Sequence, residues 1–393
     1  MITAALAWSP RVTPRHNLPQ QSLLLLRLTA QRWVPNAVSF RLYSSSSSDN
    51  NHKKRVVFLG TPEVAATTLR SIHEDSIKEG SCYDLVGVVT QPPKARGRKK
   101  DKLEPSPVAL VAEELGIPAM WPVKANDKEF LDNLESEVKP DLCITAAYGQ
   151  YLPKRFLATP TFGTANIHPS LLPRWRGASP VQRALEAGDQ PLGVTVLFTV
   201  SKMDAGPIIA QKEEHVDEND TATNLLPHLF SIGTDCLLEA MPKLLSGEIT
   251  METAKEQDED AVVNADMIAS SEAELQVWEM SAKACHDRLR GFSMWPGVFI
   301  YVQVIGEDGE SVGNPFKMKI HETRVIPEPQ DPTNVIALGP TKKDGLRLVC
   351  GDGSVLEMLR VQPAGKKAMD AKSFVNGYPK KTIQWVKPEP ASD

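Results

Sequence analysis

Several signatures that would narrow the chemistry of this chain are missing. Its 393 residues carry five scattered cysteines, Cys82, Cys143, Cys236, Cys285 and Cys350, and none falls in a C-x-x-C pair. That excludes a disulfide scaffold and reads as reduced, buried thiols in a reducing compartment. No group of cysteines and histidines has zinc spacing, so no metal is expected. No apolar run approaches the ~20 residues that span a bilayer. The "LLLL" at 23–26 falls far short, and no membrane partner is expected. A nucleotide cofactor has little support, because "FLGTPEVA" offers one glycine after the first apolar run and no G-x-G-x-x-G.

Lysine is absent from the first 50 residues, and acid nearly so. They hold Arg11, Arg15, Arg27, Arg32 and Arg41 against a single Asp49, and they end in "RLYSSSSSDNN". Arginine, serine and leucine with almost no acid is the composition of an organelle transit peptide, the simpler alternative being a plain disordered tail. The mitochondrial matrix is the expected location, with chloroplast or dual targeting as the alternative. Residues 1–50 are therefore set aside from the fold. Residues 51–310 carry 26 basic and 39 acidic side chains, whereas 311–381 carry 12 and 7. An acidic body with a basic C-terminal part hints at a polyanionic partner touching one end, although many solvated faces look alike.

The remainder alternates two periodicities. "RVVFLG" is an apolar strand that breaks at Gly60-Thr61-Pro62 into an amphipathic helix. Strands are predicted at 84–92, 141–149 and 163–168. Helices are predicted at 106–118, with Ser106 as N-cap and Pro107 in the first turn, and at 179–188. Strands alternating with helices give an α/β fold on a parallel, twisted sheet. "GVTVLFTV" and "GPIIAQKEEHV" look like a strand pair, followed by a long helix over 220–246. The stretch 249–272 reads as a polar linker. From about 273 to 385, a helix leads into short strands separated by Gly, Asp and Pro turns, the pattern of a small β-barrel.

In an open α/β sheet, ligands bind beyond the carboxyl ends of the strands. Asn166 and His168 lie at such an end, and Pro169 then takes the chain out of the sheet. Two apart in extended chain, they face one side. An amide donates to an oxyanion without changing charge, and an imidazole holds or releases a proton near neutral pH. A histidine satisfied by loop backbone is the alternative. Asp204, in "KMDAGPI", is a candidate partner for His168 at the same edge, or a simple turn aspartate. "TQPPKARGRKKDK" puts Lys94, Arg96, Arg98, Lys99 and Lys100 on one loop after a strand, either a solvated surface or an arm that grips phosphates.

"VVFLGTPEVA", "VVTQPPKARGRKK", "NIHPSLLPRWRGASPV", "MDAGPI", "LRGFSMWPGVF" and "PAGKKAM" occur in the order seen in the methionyl-tRNA formyltransferases, and the chain resembles that family over residues 54–370. The resemblance implies a doubly wound, Rossmann-like formyltransferase domain over 51–248 and an OB-like tRNA-binding barrel over 273–385. It implies formyl transfer from 10-formyltetrahydrofolate to the amino group of methionyl initiator tRNA, by a monomer. Asn166, His168 and Asp204 match the family's catalytic trio, and Ser170, Leu171, Leu172 and Pro173 match its folate segment. Lys94 to Lys100 match its tRNA-gripping loop, Arg98 foremost, although "PKARGRKK" departs from the family's usual "RPAGRGKK". Other folate-dependent formyltransferases, a formyltetrahydrofolate hydrolase and a non-catalytic RNA-binding protein remain as alternatives. The basic loop and barrel argue against the first two, and the intact trio against the last.

Overall fold

The structure, a computed structural model, describes residues 53–96, 102–341 and 343–387. The described residues open with β1 (Lys54–Gly60), α1 (Glu63–Ser76) and β2 (Tyr83–Val89). A hairpin of β3 (Lys94–Arg96) and β4 (Lys102–Glu104) follows, then α2 (Pro107–Glu114), β5 (Ala119–Met120), α3 (Lys128–Asn133), β6 (Leu142–Ala146), α4 (Lys154–Leu157) and β7 (Thr164–His168). Next come β8 (Arg174–Gly177), α5 (Pro180–Glu186), β9 (Leu192–Phe198), β10 (Ile208–Glu214) and α6 (Ala222–Ser246).

Seven of these strands form one sheet in the order β10-β9-β7-β6-β1-β2-β5. The five from β7 to β5 run parallel, β9 pairs antiparallel with β7, and β10 pairs antiparallel with β9. Val56, Val57, Phe58 and Leu59 of β1 are all fully buried. A strand covered on both faces must read as a continuous apolar run, which is why this one was plain in the sequence. Ser106 caps α2 as expected, its Oγ accepting from the Ala109 N–H at 3.0 Å, with Pro107 in the first turn. Long α6 lies tight against the sheet at Gly233, where an added Cβ would come within 2.6 Å of Ile167 and Val194. Close helix–sheet approach at that point demands glycine.

The C-terminal part contains β11 (Val263–Ala265), α7 (Ala282–Gly291), β12 (Val298–Ile305), β13 (Phe316–Ile326), β14 (Val335–Leu338), β15 (Leu346–Val349), β16 (Val355–Pro363), β17 (Met369–Asp370), α8 (Ala371–Asn376) and β18 (Thr382–Trp385). Its sheet runs β13-β12-β18-β14-β15-β16-β17, and an added β13–β16 pairing closes six strands into a barrel. Val298, Ile300, Val302, Met318, Leu346 and Leu356 are among the side chains that fill it. Fully buried Glu357 is bridged by Arg324 and Arg347 from the two strands opposite it.

Helix α7 joins the barrel to the first sheet. Arg183 of α5 pairs with Glu272 at 2.7 Å, and Arg288 of α7 pairs with Glu186 of α5 at 2.8 Å. His286 bridges the same junction. Its Nε2–H donates to the Glu218 carbonyl at 3.1 Å, and its Nδ1 lies 2.9 Å from the Thr323 hydroxyl. Burial lowers the pKa of this imidazole, which favours the neutral ring, and in that form Nδ1 accepts from the hydroxyl.

The polar stretch 249–272 is no free spacer. Lys255 bridges to Ile208, whose N–H donates to the Lys255 carbonyl at 2.7 Å, and β11 pairs in parallel with β8. The stretch thus turns back onto the first sheet beside the motif residues.

Candidate active site on the face of strand β7

Strand β7 carries Thr164, Asn166 and His168 on one face. The hydroxyl of Thr145, on neighbouring β6, donates to Asn166 Oδ1 at 2.7 Å. That bond fixes the amide and leaves its NH2 end as the donor. His168 is buried, and its Nε2 lies 2.9 Å from the Trp175 carbonyl. A carbonyl only accepts, so Nε2 carries the proton. In the neutral ring, Nδ1 therefore presents its lone pair, and it does so 3.7 Å from Asp204 Oδ2. Asp204 Oδ2 also accepts from the Gly177 N–H at 3.0 Å.

Trp175 is held in place for this contact. It adopts φ +71°, its indole N–H donates to Asp189 at 2.7 Å, and Arg174 grips the same carboxylate with two N–H groups. The Arg-Trp-Arg-Gly step thus fixes the carbonyl that sets the His168 tautomer.

The sequence placed Asp204 at the carboxyl edge with His168. The structure corrects the route. Because β9 runs antiparallel to β7, the turn after β9 begins beside Thr164, where the Thr199 N–H donates to the Thr164 carbonyl at 2.7 Å. Asp204 consequently meets the imidazole across the face of β7. The turn is tight, since a Cβ on Gly206 would fall 1.8 Å from the Phe198 carbonyl oxygen.

The segment Ser170, Leu171, Leu172 and Pro173 divides into two pairs. Ser170 and Leu172 are buried and serve the loop itself. Thr195 Oγ1 donates to the Ser170 carbonyl at 2.7 Å and accepts from the Leu172 N–H at 3.1 Å, while Gln211 donates to the Leu172 carbonyl at 2.9 Å. Leu171 and Pro173 are half-buried and offer apolar surface. Leu171 lies directly over β9, where a Cβ on Gly193 would meet it at 2.5 Å.

The basic loop leaves the carboxyl end of β2. Lys94 is exposed, and Lys94 and Arg96 lie on β3 of the hairpin. Arg98, Lys99 and Lys100 fall outside the described residues. Thr90 and Ser106 close the base of the loop with a 2.7 Å hydroxyl contact. Thr61 and Gln91 both donate to the Tyr148 carbonyl at 2.9 Å, tying together the loops after β1, β2 and β6.

Sequence reasoning missed Thr145, Gly177, Arg176 and Gln257. Arg176 is buried and donates twice to Gln257 Oε1, at 3.0 and 2.8 Å. An arginine beside Trp175 and Gly177 was visible in the motif, but Gln257 sits in a polar stretch and gave no signal. Among the described residues, no three His, Cys, Asp or Glu side chains group as metal ligands.

Known proteins match this chain in sequence and fold. The family described as "Formyl transferase" matches residues 54–241, and "Formyl transferase, C-terminal domain" matches residues 268–379. The methionyl-tRNA formyltransferase of Marinobacter nauticus is 37% identical over 325 residues, covering 82% of this chain and 96% of its own length. That of Bacillus subtilis is 35% identical over 325 residues, covering 82% and 94%. Among solved structures, the N-formyltransferase from Helicobacter canadensis in complex with folinic acid and dTDP-3-aminofucose is similar with a TM-score of 0.53. It covers 79% of this chain and all of its own, and at 16% identity that likeness concerns the fold.

Proposed function

This chain belongs to the methionyl-tRNA formyltransferase family, and we propose that it works inside an organelle, on methionyl initiator tRNA, with Asn166, His168 and Asp204 as its catalytic residues. It moves a formyl group from 10-formyltetrahydrofolate to the methionyl amino group. The observation that carries this reading is similarity at 37% identity through both sheets to a methionyl-tRNA formyltransferase.

The neutral amine attacks the formyl carbon, and the carbonyl electron pair moves to oxygen. The Asn166 NH2, freed by the Thr145 bond to its Oδ1, donates to that oxyanion. His168 donates from a protonated Nδ1, and Asp204 stabilises the positive ring at 3.7 Å. The amine then gives up one proton through the Asp204 carboxylate, directly or by way of a water. Collapse of the intermediate breaks the bond from the formyl carbon to the folate nitrogen. That nitrogen leaves with the electron pair and gains a proton, so the proton count closes. Holding two large substrates in register supplies much of the remaining acceleration.

In this reading the folate lies against half-buried Leu171 and Pro173, while Ser170 and Leu172 keep their loop in shape. Lys94, Arg96, Arg98, Lys99 and Lys100 grip tRNA phosphates, and the protein acts as a monomer. Arg98→Ala should raise the KM for charged tRNA about tenfold at fixed salt, the scale of one lost charged contact. The folate KM should stay unchanged. If only the folate KM rises, the loop has been misassigned.

The organelle assignment rests on the Arg-rich, acid-poor residues 1–50, which precede the family match beginning at residue 54. Residues 1–50 fused to a fluorescent protein should be imported into isolated mitochondria and cleaved. A fusion left intact outside the organelle removes that assignment.

A further inference from the structure

We propose that Gln257, clamped by Arg176, is a positioning residue that sets where the Asp204 carboxylate points; this rests on the catalytic reading of Asp204 above. Asp204 adopts φ +49°, a left-handed conformation uncommon outside glycine that aspartate visits more readily than most residues, so contacts to its backbone decide whether it is held there. The surroundings here come from the stretch joining the two sheets. Gln257 Nε2 donates to the Asp204 carbonyl at 2.9 Å and to the Gly206 carbonyl at 2.7 Å. Its Oε1 accepts from Nε and Nη2 of Arg176, so the amide is saturated at both ends. Gln257 and Arg176 are 8% and 4% exposed, which keeps water from replacing these bonds.

The clamp is itself braced. Arg176 Nη2 reaches Glu259 at 2.9 Å, and Glu259 also pairs with Lys202 of the Asp204 turn at 2.5 Å. Between those two cations the Glu259 carboxylate is held down at about 2. Residues 255–259 therefore grip the turn at Lys202, Asp204, Gly206 and Ile208. On the other side, Gly177, the residue after Arg176, donates its N–H to the Asp204 carboxylate. One strand, β8, thus fixes the carboxylate directly and the backbone behind it through Gln257. A tie that served only stability could end anywhere on the turn. This one ends on the backbone of the residue facing His168 and on Gly206 two residues on.

Gln257→Glu tests the clamp. It keeps the shape and the acceptor toward Arg176, but sets an oxygen against two carbonyl oxygens. Steady-state formylation by the full chain should show kcat lowered about tenfold or more, with both substrate KM values within about threefold. In a double-mutant cycle, adding Gln257→Glu to Asp204→Asn should leave the residual single-turnover rate of Asp204→Asn unchanged, because both act through one group. If Gln257→Glu unfolds, Arg176→Lys gives the same split, since it keeps charge for Glu259 and loses the two-pronged grip. A kcat within about twofold of the parent, or a full further loss in the Asp204→Asn background, overturns the proposal. Normal turnover by Asp204→Asn overturns the catalytic reading instead, and the clamp with it.

Discussion

His168→Ala is expected to leave the protein folded and to lower formyl transfer by about a thousandfold or more, combining the ranges for a lost oxyanion donor and a lost acid–base group. The ring is the one polar group of β7 that touches both the Trp175 carbonyl and the Asp204 carboxylate. In the proposed mechanism its removal strips the oxyanion of a charged donor, and it leaves Asp204 without the imidazole it faces. Asn166→Ala should cost about a hundredfold to a thousandfold, the scale of a single oxyanion donor. Asp204→Ala should fall between the two. Costs within such a unit do not add, so the triple variant should be scarcely worse than His168→Ala. Circular dichroism and a thermal melt establish that each variant is folded, and the transfer rate then reads the chemistry. Near-normal turnover by a folded His168→Ala protein contradicts the mechanism.

Gly177→Ala is expected to damage both stability and rate without replacing any side chain of the proposed trio. Gly177 sits at φ +133°, where an L side chain is strained, and a Cβ there would lie 2.6 Å from the Ala265 carbonyl oxygen. The obstacle is backbone of β11, which pairs with β8 at that point, so neither side yields cheaply. The strain and the displaced pairing together should cost about 3 kcal/mol. Any shift of β8 also withdraws the Gly177 N–H from Asp204 and moves Arg176. A hundredfold loss of kcat, of the order seen when a distant change misplaces reacting groups, should accompany the lower melting temperature. A stable, fully active Gly177→Ala protein would mean that β8 does not set the site.

Much of this was legible because the relevant signals are local. Val56 to Leu59 read as a buried strand by composition alone, Ser106-Pro107 as a helix start, and the Asn166–His168 spacing as a shared face. What escaped depends on partners far along the chain. Strands β8 and β11 are short and show no alternation, so nothing in "RWRG" or "VNA" announces their pairing. The path of the Asp204 turn follows from β9 being antiparallel, which no pattern within β9 reveals. Gln257 sits among charged residues that resemble a solvated linker, yet it is buried on the site. The motif "SLLP" looked uniform, whereas Thr195 and Gln211 turn its Ser170 and Leu172 inward.

The most direct measurement is formyl transfer by the full chain, supplied with 10-formyltetrahydrofolate and methionine-charged initiator tRNA, with free methionine as the control acceptor. Formylation of the charged tRNA and not of free methionine is the expected result. Release of formate without transfer would contradict it and point to a hydrolase, and tRNA binding with neither transfer nor hydrolysis would contradict catalysis altogether.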